Sequence, residues 1–211
     1  WEQIASRFKD YDEHLLFEGM NEPRIVGGQD EWTGGTEEER EVINNLFAAF
    51  VETVRKSGGN NATRSLIITG HAAAIDEKAV KGIKVPDDDH IIVSIHAYAP
   101  YSFALDQSGT STFSDSDKSE LDKNFDFLKS TFIDKGIPVI IGEFGSLNKD
   151  NMSDRVKHME YYVSAAKARG ITCFIWDNGV KDGEGAFGLL NRKDGSWYFK
   201  DIVDAAMNGL E

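Results

Sequence analysis

Short apolar runs break up a polar chain at intervals: LLFEGM over 15–20, SLIIT over 65–69, IIVSIH over 91–96, PVIIGE over 138–143 and TCFIWD over 172–177. Each is nearly continuous rather than alternating and rich in Ile, Val or Phe, the pattern of a parallel strand covered on both faces. Between these runs the apolar positions recur at helical spacing. Residues 37–56, EEEREVINNLFAAFVETVRK, set Val42, Leu46, Ala49, Phe50 and Val54 on one face, behind Thr36 as the cap and acids in the first turn. Residues 117–135 repeat the form with Leu121, Phe125, Leu128 and Phe132 before Gly136, and 153–169 and 198–208 follow the same plan. Strand and helix therefore alternate, which predicts an α/β fold with a parallel sheet and right-handed connections. The segment DQSGTSTFSDSD, 106–117, is long and polar, as a loop over a binding face would be.

Composition narrows the partners. The 211 residues are 40% hydrophobic and 28% charged, enough apolar material for one core. Acidic residues outnumber basic ones by 36 to 23, a formal net charge of -13, and no Lys/Arg cluster interrupts them, so nucleic acid is not an expected partner. No apolar run approaches the roughly 20 residues of a bilayer span, so no membrane is expected either. The single Cys173 excludes an internal disulfide.

In parallel β/α architectures the ligand site lies at the carboxyl ends of the strands. Those ends carry chemistry here: Asn21 and Glu22 after the first run, His71 just past the second, His96 and Tyr98 at the third, Glu143 at the fourth and Trp176 at the fifth. Side-chain alternation puts His96 and Tyr98 on one side, and Phe174, Trp176 and Asn178 likewise. Packing alone would fill strand ends with ordinary loop residues. Two carboxylates with an aromatic platform and hydrogen-bonding groups meet the needs of glycosidic bond cleavage. One carboxyl protonates the departing oxygen, the other meets the oxocarbenium centre, and a Trp face stacks on the sugar. No metal-ligand cluster and no phosphate loop accompany them, so neither metal nor cofactor is expected. The row Asp87-Asp88-Asp89-His90 precedes its strand, on the face away from the site, and reads as a solvated turn. Trp32, in GGQDEWTGG, is either an outer sugar platform or a packed loop aromatic.

LLFEGMNEPR, the His-Ala-Tyr of IIVSIHAYAPY, VIIGEFG and CFIWDNG, in that order, resemble the fourth, sixth, seventh and eighth strands of glycoside hydrolase family five, the cellulase family of retaining β-glycanases on (β/α)8 barrels. SLIITG would be the fifth. The resemblance covers essentially the whole chain. It implies the C-terminal five β/α units, strands four to eight, of such a barrel, with Glu22 as general acid/base and Glu143 as nucleophile. It further implies Asn21 on the sugar 2-hydroxyl, His96 and Tyr98 holding the carboxyl pair, and Trp176 flooring the cleaved subsite. Asn178, Trp32 and His71 are the remaining candidates for sugar contact. The implied activity is an endo-β-1,4-glucanase acting on β-glucan polysaccharide, with lichenan, xyloglucan, xylan or mannan as alternative substrates. An extracellular location follows from family habit alone.

The sequence departs from the family in one respect: five strands are present where a closed barrel needs eight. The family's first three β/α units are not found, and WEQIASRF begins inside what reads as the helix before the fourth strand. The expectation is that residues 1–211 form the C-terminal portion of a catalytic domain, completed by the missing N-terminal half. A non-catalytic carbohydrate-binding fragment and a self-sufficient five-stranded doubly wound domain are the readings that compete with it.

Overall fold

The computed structural model describes residues 1–211. Its strands are β1 (Phe17–Glu18), β2 (Leu66–Ile68), β3 (Ile91–His96), β4 (Val139–Phe144) and β5 (Thr172–Ile175), and strand order is chain order. The helices are α1 (Glu2–Phe8), α2 (Glu37–Lys56), α3 (Glu77–Lys81), α4 (Tyr101–Ala104), α5 (Asp115–Thr131), α6 (Met152–Lys167) and α7 (Lys200–Asn208). All five predicted strands form, though LLFEGM contributes a ladder of only two residues. The short helices α3 and α4 carry too few periodic positions to be seen in the sequence. None of the helices is long and apolar enough to cross a membrane.

The chain divides into two compact units. The first comprises Trp1–Ile95 with Gly136–Pro138. Here β1 pairs parallel with β2, Phe17 opposite Leu66, and β2 pairs parallel with β3, Leu66 opposite Ile91. Leu66, Ile68, Val93 and Ile95 are buried. Helix α2 starts where predicted, because Thr36 Oγ1 accepts from Glu39 N at 3.2 Å while the Glu39 carboxylate accepts from Thr36 N at 2.6 Å. Its buried face matches the expectation at Phe50 and Val54 and differs from it at Val42, Leu46 and Ala49. Val42 and Leu46 are 52% and 50% exposed, whereas Ile43, Phe47, Phe50, Val51 and Val54 are buried. The physical reason is Gly19, at the end of β1. A Cβ there would lie 2.8 Å from the Phe47 ring, so the strand end and the Phe47–Phe50 stripe meet at bare-backbone distance. Arg64, almost fully buried, gathers the carbonyls of Phe8, Tyr11, Asp12 and Leu15 and so shapes the approach to β1. Asp88 is not a solvated turn residue: it forms a two-pronged ion pair with Arg55 at 2.7 and 2.9 Å.

The second unit comprises His96–Lys135 with Val139–Glu211. Strands β4 and β5 run parallel, Ile140 opposite Thr172 and Phe144 opposite Ile175, with an irregularity between Ile141 and Phe144. Leu121, Phe125 and Leu128 of α5, Met159, Tyr162 and Ala166 of α6, and Ile202 and Ala205 of α7 are buried. Helix α5 begins two residues earlier than the period suggests, because Ser114 and Asp117 form a capping box. Strand β5 departs from the expectation of two covered faces. Phe174 and Ile175 are 53% and 37% exposed, since β5 is last in the strand order and pairs on one side only.

Candidate active site

In the first unit the chain leaves β1 through Asn21, Glu22 and Pro23. Proline fixes one dihedral of that turn, and the Pro23 carbonyl accepts a hydrogen bond from Ala72 N at 2.9 Å. Ala72 and Ala73, just past β2, both hold left-handed backbone, with φ of 53° and 49°. Such strain in residues with a Cβ persists only where the surroundings impose it. Asn21 is exposed and Glu22 partly so. Arg24 then doubles back: its Nη1 donates to the Glu22 carbonyl at 2.9 Å and lies 3.2 Å from Glu22 Oε2, while its Nε donates to Glu31 Oε1 at 2.9 Å. The other Glu31 oxygen accepts from Gly27 N at 2.8 Å. The Arg24 guanidinium, with the Gly27 N–H, holds the Glu31 carboxyl below the usual carboxylate range. The same guanidinium lies over the Trp32 ring, 4.4 Å from its centroid, and Trp32 stays largely exposed. Trp32 is thus braced on one face by a cation, which leaves the indole presented in an ordered loop.

His71 is placed differently from the sequence expectation of sugar contact. It is fully buried, its ring seated against Gly35, where a Cβ would come within 2.3 Å of the imidazole. Burial pushes its pKa below the ordinary histidine value, opposed by the Glu39 carboxylate at 3.9 Å. Substrate does not reach it in this conformation; its contacts make it a support for the Gly34-Gly35 turn. The exposed grouping Asp12, Glu13 and His14 brings ligand-type atoms within 4.8 Å of one another. Asp12 is already engaged there, accepting from His14 N at 3.1 Å.

In the second unit Glu143 stands at the irregularity in β4, the kind of feature that re-aims a side chain. The Tyr98 hydroxyl donates to Glu143 Oε2 at 2.7 Å, and His96 Nδ1 lies 3.5 Å from the same oxygen. The backbone joins them too, Ala97 N donating to the Glu143 carbonyl at 3.0 Å. The Tyr98 ring meets Phe187 edge-on at 5.5 Å. Trp176, half exposed, is tied by its backbone N–H to the Phe144 carbonyl at 2.8 Å. Asn178 is spent largely on its own loop: its oxygen accepts from Val180 N and Phe187 N at 3.0 and 3.2 Å, and its amide donates to Gly185 O at 2.7 Å. Asp177 works alongside, accepting from Gly179 N, Leu189 N and Leu190 N at 2.6, 3.1 and 2.8 Å. Burial raises the Cys173 thiol to about 12, so at neutral pH it stays protonated.

Within the second unit, then, three expected residues gather, Glu143 with His96 and Tyr98, and in the first unit Glu22 lies beside Arg24. Sequence reasoning missed Arg24, although it stands inside LLFEGMNEPR, along with Asp177 and Phe187. Their partners lie in aperiodic loops that leave no pattern to read.

Comparison with known proteins supplies the family. The model for Cellulase (glycosyl hydrolase family 5) matches residues 1–182. The chain belongs to glycosyl hydrolase family 5. Endoglucanase 1 of Ruminococcus albus is 53% identical over 206 residues, covering 97% of this chain and 50% of that protein. The GH5-4 broad specificity endoglucanase from Ruminococcus champanellensis, solved with bound cellotriose, has TM-score 0.94 and 48% identity, over 98% of this chain and 61% of that one. XEG5A, a GH5 xyloglucan-specific endo-beta-1,4-glucanase from a metagenomic library, in complex with cellotriose, has TM-score 0.94 and 46% identity, over 99% and 62%. The chain spans about half the length of the curated relatives it matches. Its fold is accordingly the five β/α units, strands four to eight, of the family's (β/α)8 barrel.

Proposed function

We propose that the protein carrying this chain is a retaining endo-β-1,4-glucanase in which Glu143 is the nucleophile and Glu22 the general acid/base. The observation that carries the reading is the Glu143 carboxylate, whose Oε2 takes the Tyr98 hydroxyl at 2.7 Å and has His96 Nδ1 at 3.5 Å. Both contacts fall on one oxygen. The other oxygen is left to approach the anomeric carbon.

In the first step Glu143 attacks C1 and forms a glycosyl ester, while Glu22 gives its proton to the departing glycosidic oxygen. In the second, Glu22 takes a proton from water, whose oxygen attacks C1 and releases Glu143. Two inversions give retention. Asn21 on the 2-hydroxyl and Trp176 under the ring are the proposed sugar contacts, with Trp32 as an outer platform. The partner is a β-1,4-glucan, by extension from relatives named endoglucanases and from the cellotriose in two of the solved neighbours. Xyloglucan is a second reading, supported by the likeness to the xyloglucan-specific XEG5A. Initial rates on carboxymethylcellulose, lichenan, xyloglucan, xylan and mannan rank these directly.

The first three β/α units are proposed to come from the missing N-terminal half of the barrel, consistent with the chain's share of its relatives, and an extracellular location is proposed because a polymeric substrate lies outside cells. Fractionating a producing culture for activity tests the location. The chemistry is tested in the full-length protein. Proton NMR is expected to show the β-anomer first, and initial α-anomer sinks the nucleophile assignment. Glu143→Gln is expected to end turnover. Glu22→Ala is expected to keep the first step on aryl glycosides with good leaving groups and to be rescued by azide. A protein that binds glucan with no turnover is instead the carbohydrate-binding module.

A further inference from the structure

Tyr98 is carried by the segment between β3 and α4, outside any strand. Ala97 and Ala99, on either side of it, are buried, so their carbonyls need donors from the protein. Both donors come from α6. The Tyr162 hydroxyl donates to Ala97 O at 2.8 Å, and His158 Nε2 lies 2.9 Å from Ala99 O. Since a carbonyl only accepts, Nε2 carries the hydrogen and the ring is the corresponding neutral tautomer. Residues 158 and 162 are one turn apart on the same helix face, and both are fully buried. Tyr162 also reaches the nucleophile strand: its ring stacks on Phe144, the residue after Glu143, at 4.2 Å and 15°. His158 is fixed in turn by Phe103 at 5.0 Å and Phe113 at 5.2 Å. One turn of α6 therefore grips the backbone on both sides of Tyr98 and, through one ring, the residue beside Glu143.

We propose that Tyr162 and His158 are positioning residues for catalysis, which hold the Tyr98 hydroxyl on Glu143 by fixing the Ala97 and Ala99 carbonyls. The inference rests on Glu143 being the nucleophile. A hydroxyl displaced by a fraction of an ångström no longer steadies the carboxylate during attack, and misplacement on that scale costs rate steeply.

The test is a double-mutant cycle in the full-length enzyme, which separates positioning from mere structure. Tyr162→Phe, which removes one oxygen and keeps the ring on Phe144, is expected to lower kcat/KM about tenfold. In a Tyr98→Phe background the same change is expected to cost about twofold or less, because the group it aims has gone. Equal losses in both backgrounds, or no loss in either, overturn the proposal, as does full activity of Tyr98→Phe. Tyr161→Phe, which removes a neighbouring hydroxyl bonded to Asp122 at 2.8 Å, is the control expected to leave kcat/KM unchanged. His158→Gln, which retains a donor for Ala99 O, is expected to keep most activity, and His158→Leu to behave like Tyr162→Phe. If Tyr162→Phe does not fold, as judged by near-ultraviolet circular dichroism, His158→Leu takes its place in the cycle. Failure of both to fold makes the pair structural and ends the proposal. Glu143→Gln is measured in parallel: if it retains turnover the nucleophile reading itself falls, whereas a dead Glu143→Gln with an additive cycle removes only this inference.

Discussion

Arg24 shows how much one side chain can organise. Its planar fork donates to Glu31 from Nε at 2.9 Å and to the Glu22 carbonyl from Nη1 at 2.9 Å, while its face covers Trp32 at 4.4 Å. A lysine ammonium has the charge but neither the fork nor the flat face. Arg24→Lys is therefore expected to lower kcat/KM of the full-length enzyme by roughly ten- to a hundredfold, since Glu22 loses its brace. These groups are part-buried and lie in a loop, so the thermal midpoint is expected to move by only a few degrees. Activity of Arg24→Lys within twofold of the parent removes the positioning role. The strand-end positions of Glu22, Glu143, His96 and Tyr98 were legible in the sequence, because an apolar run that stops at a polar residue marks where a strand ends; their roles in catalysis belong to the proposal. The role of Arg24 was not legible, because Glu31 and Trp32 meet it from an aperiodic loop. His71 was legible as a residue at a strand end but not as a buried one. Its burial depends on Gly35, whose left-handed φ of 65° and missing Cβ admit the ring.

At the scale of elements, boundaries were easier to read than faces. Helix α2 begins and ends where its cap and charges predict. Yet two apolar stripes flank Phe50 and Val54, and nothing local distinguishes Val42–Leu46–Ala49 from Ile43–Phe47–Val51 beside them. The choice is made by a tertiary contact, the bare Gly19 backbone against Phe47. The stripes predict different costs of truncation. Phe47→Ala, at a site 2% exposed, is expected to destabilise by about 3–5 kcal/mol. Val42→Ala, at a site 52% exposed, is expected to stay within about 0.5 kcal/mol of the parent. Urea unfolding of both variants checks the assignment, and comparable losses would mean that the helix packs both stripes. The strands were legible as continuous Ile/Val runs. The loop after β5 was not, because Asp177 and Asn178 build it by accepting five backbone N–H groups between them, bonds that no residue pattern announces.

At the scale of the whole molecule, acid sensitivity has a source separate from the abundant carboxylates. His158 is fully buried, and burial, helped by the nearby Arg155 cation, depresses its pKa from 6.5 to about 4. The unfolded chain thus binds a proton at this residue between about pH 6.5 and pH 4 that the folded chain refuses. Stability rises with pH wherever the unfolded state holds more protons, so the neutral His158 contributes fully above pH 6.5 and its contribution is lost as pH falls toward 4. A shift of that size corresponds to about 3 kcal/mol. His71, depressed in the same direction by burial, adds to the loss over an overlapping range. Paired carboxylates such as Asp88, held below the usual value by Arg55, weaken only at lower pH, so the two effects fall in different windows. The urea midpoint of the parent is therefore expected to drop between pH 7.5 and 4.5, and that of His158→Gln to drop by distinctly less, since glutamine has no proton to gain. Equal slopes would mean that His158 titrates freely and that the burial argument fails. Because glutamine can still donate to the Ala99 carbonyl, the same variant is expected to keep most of the full-length protein's activity while losing part of its acid sensitivity. In His158 the packing that places Tyr98 and the packing that limits acid stability are then the same.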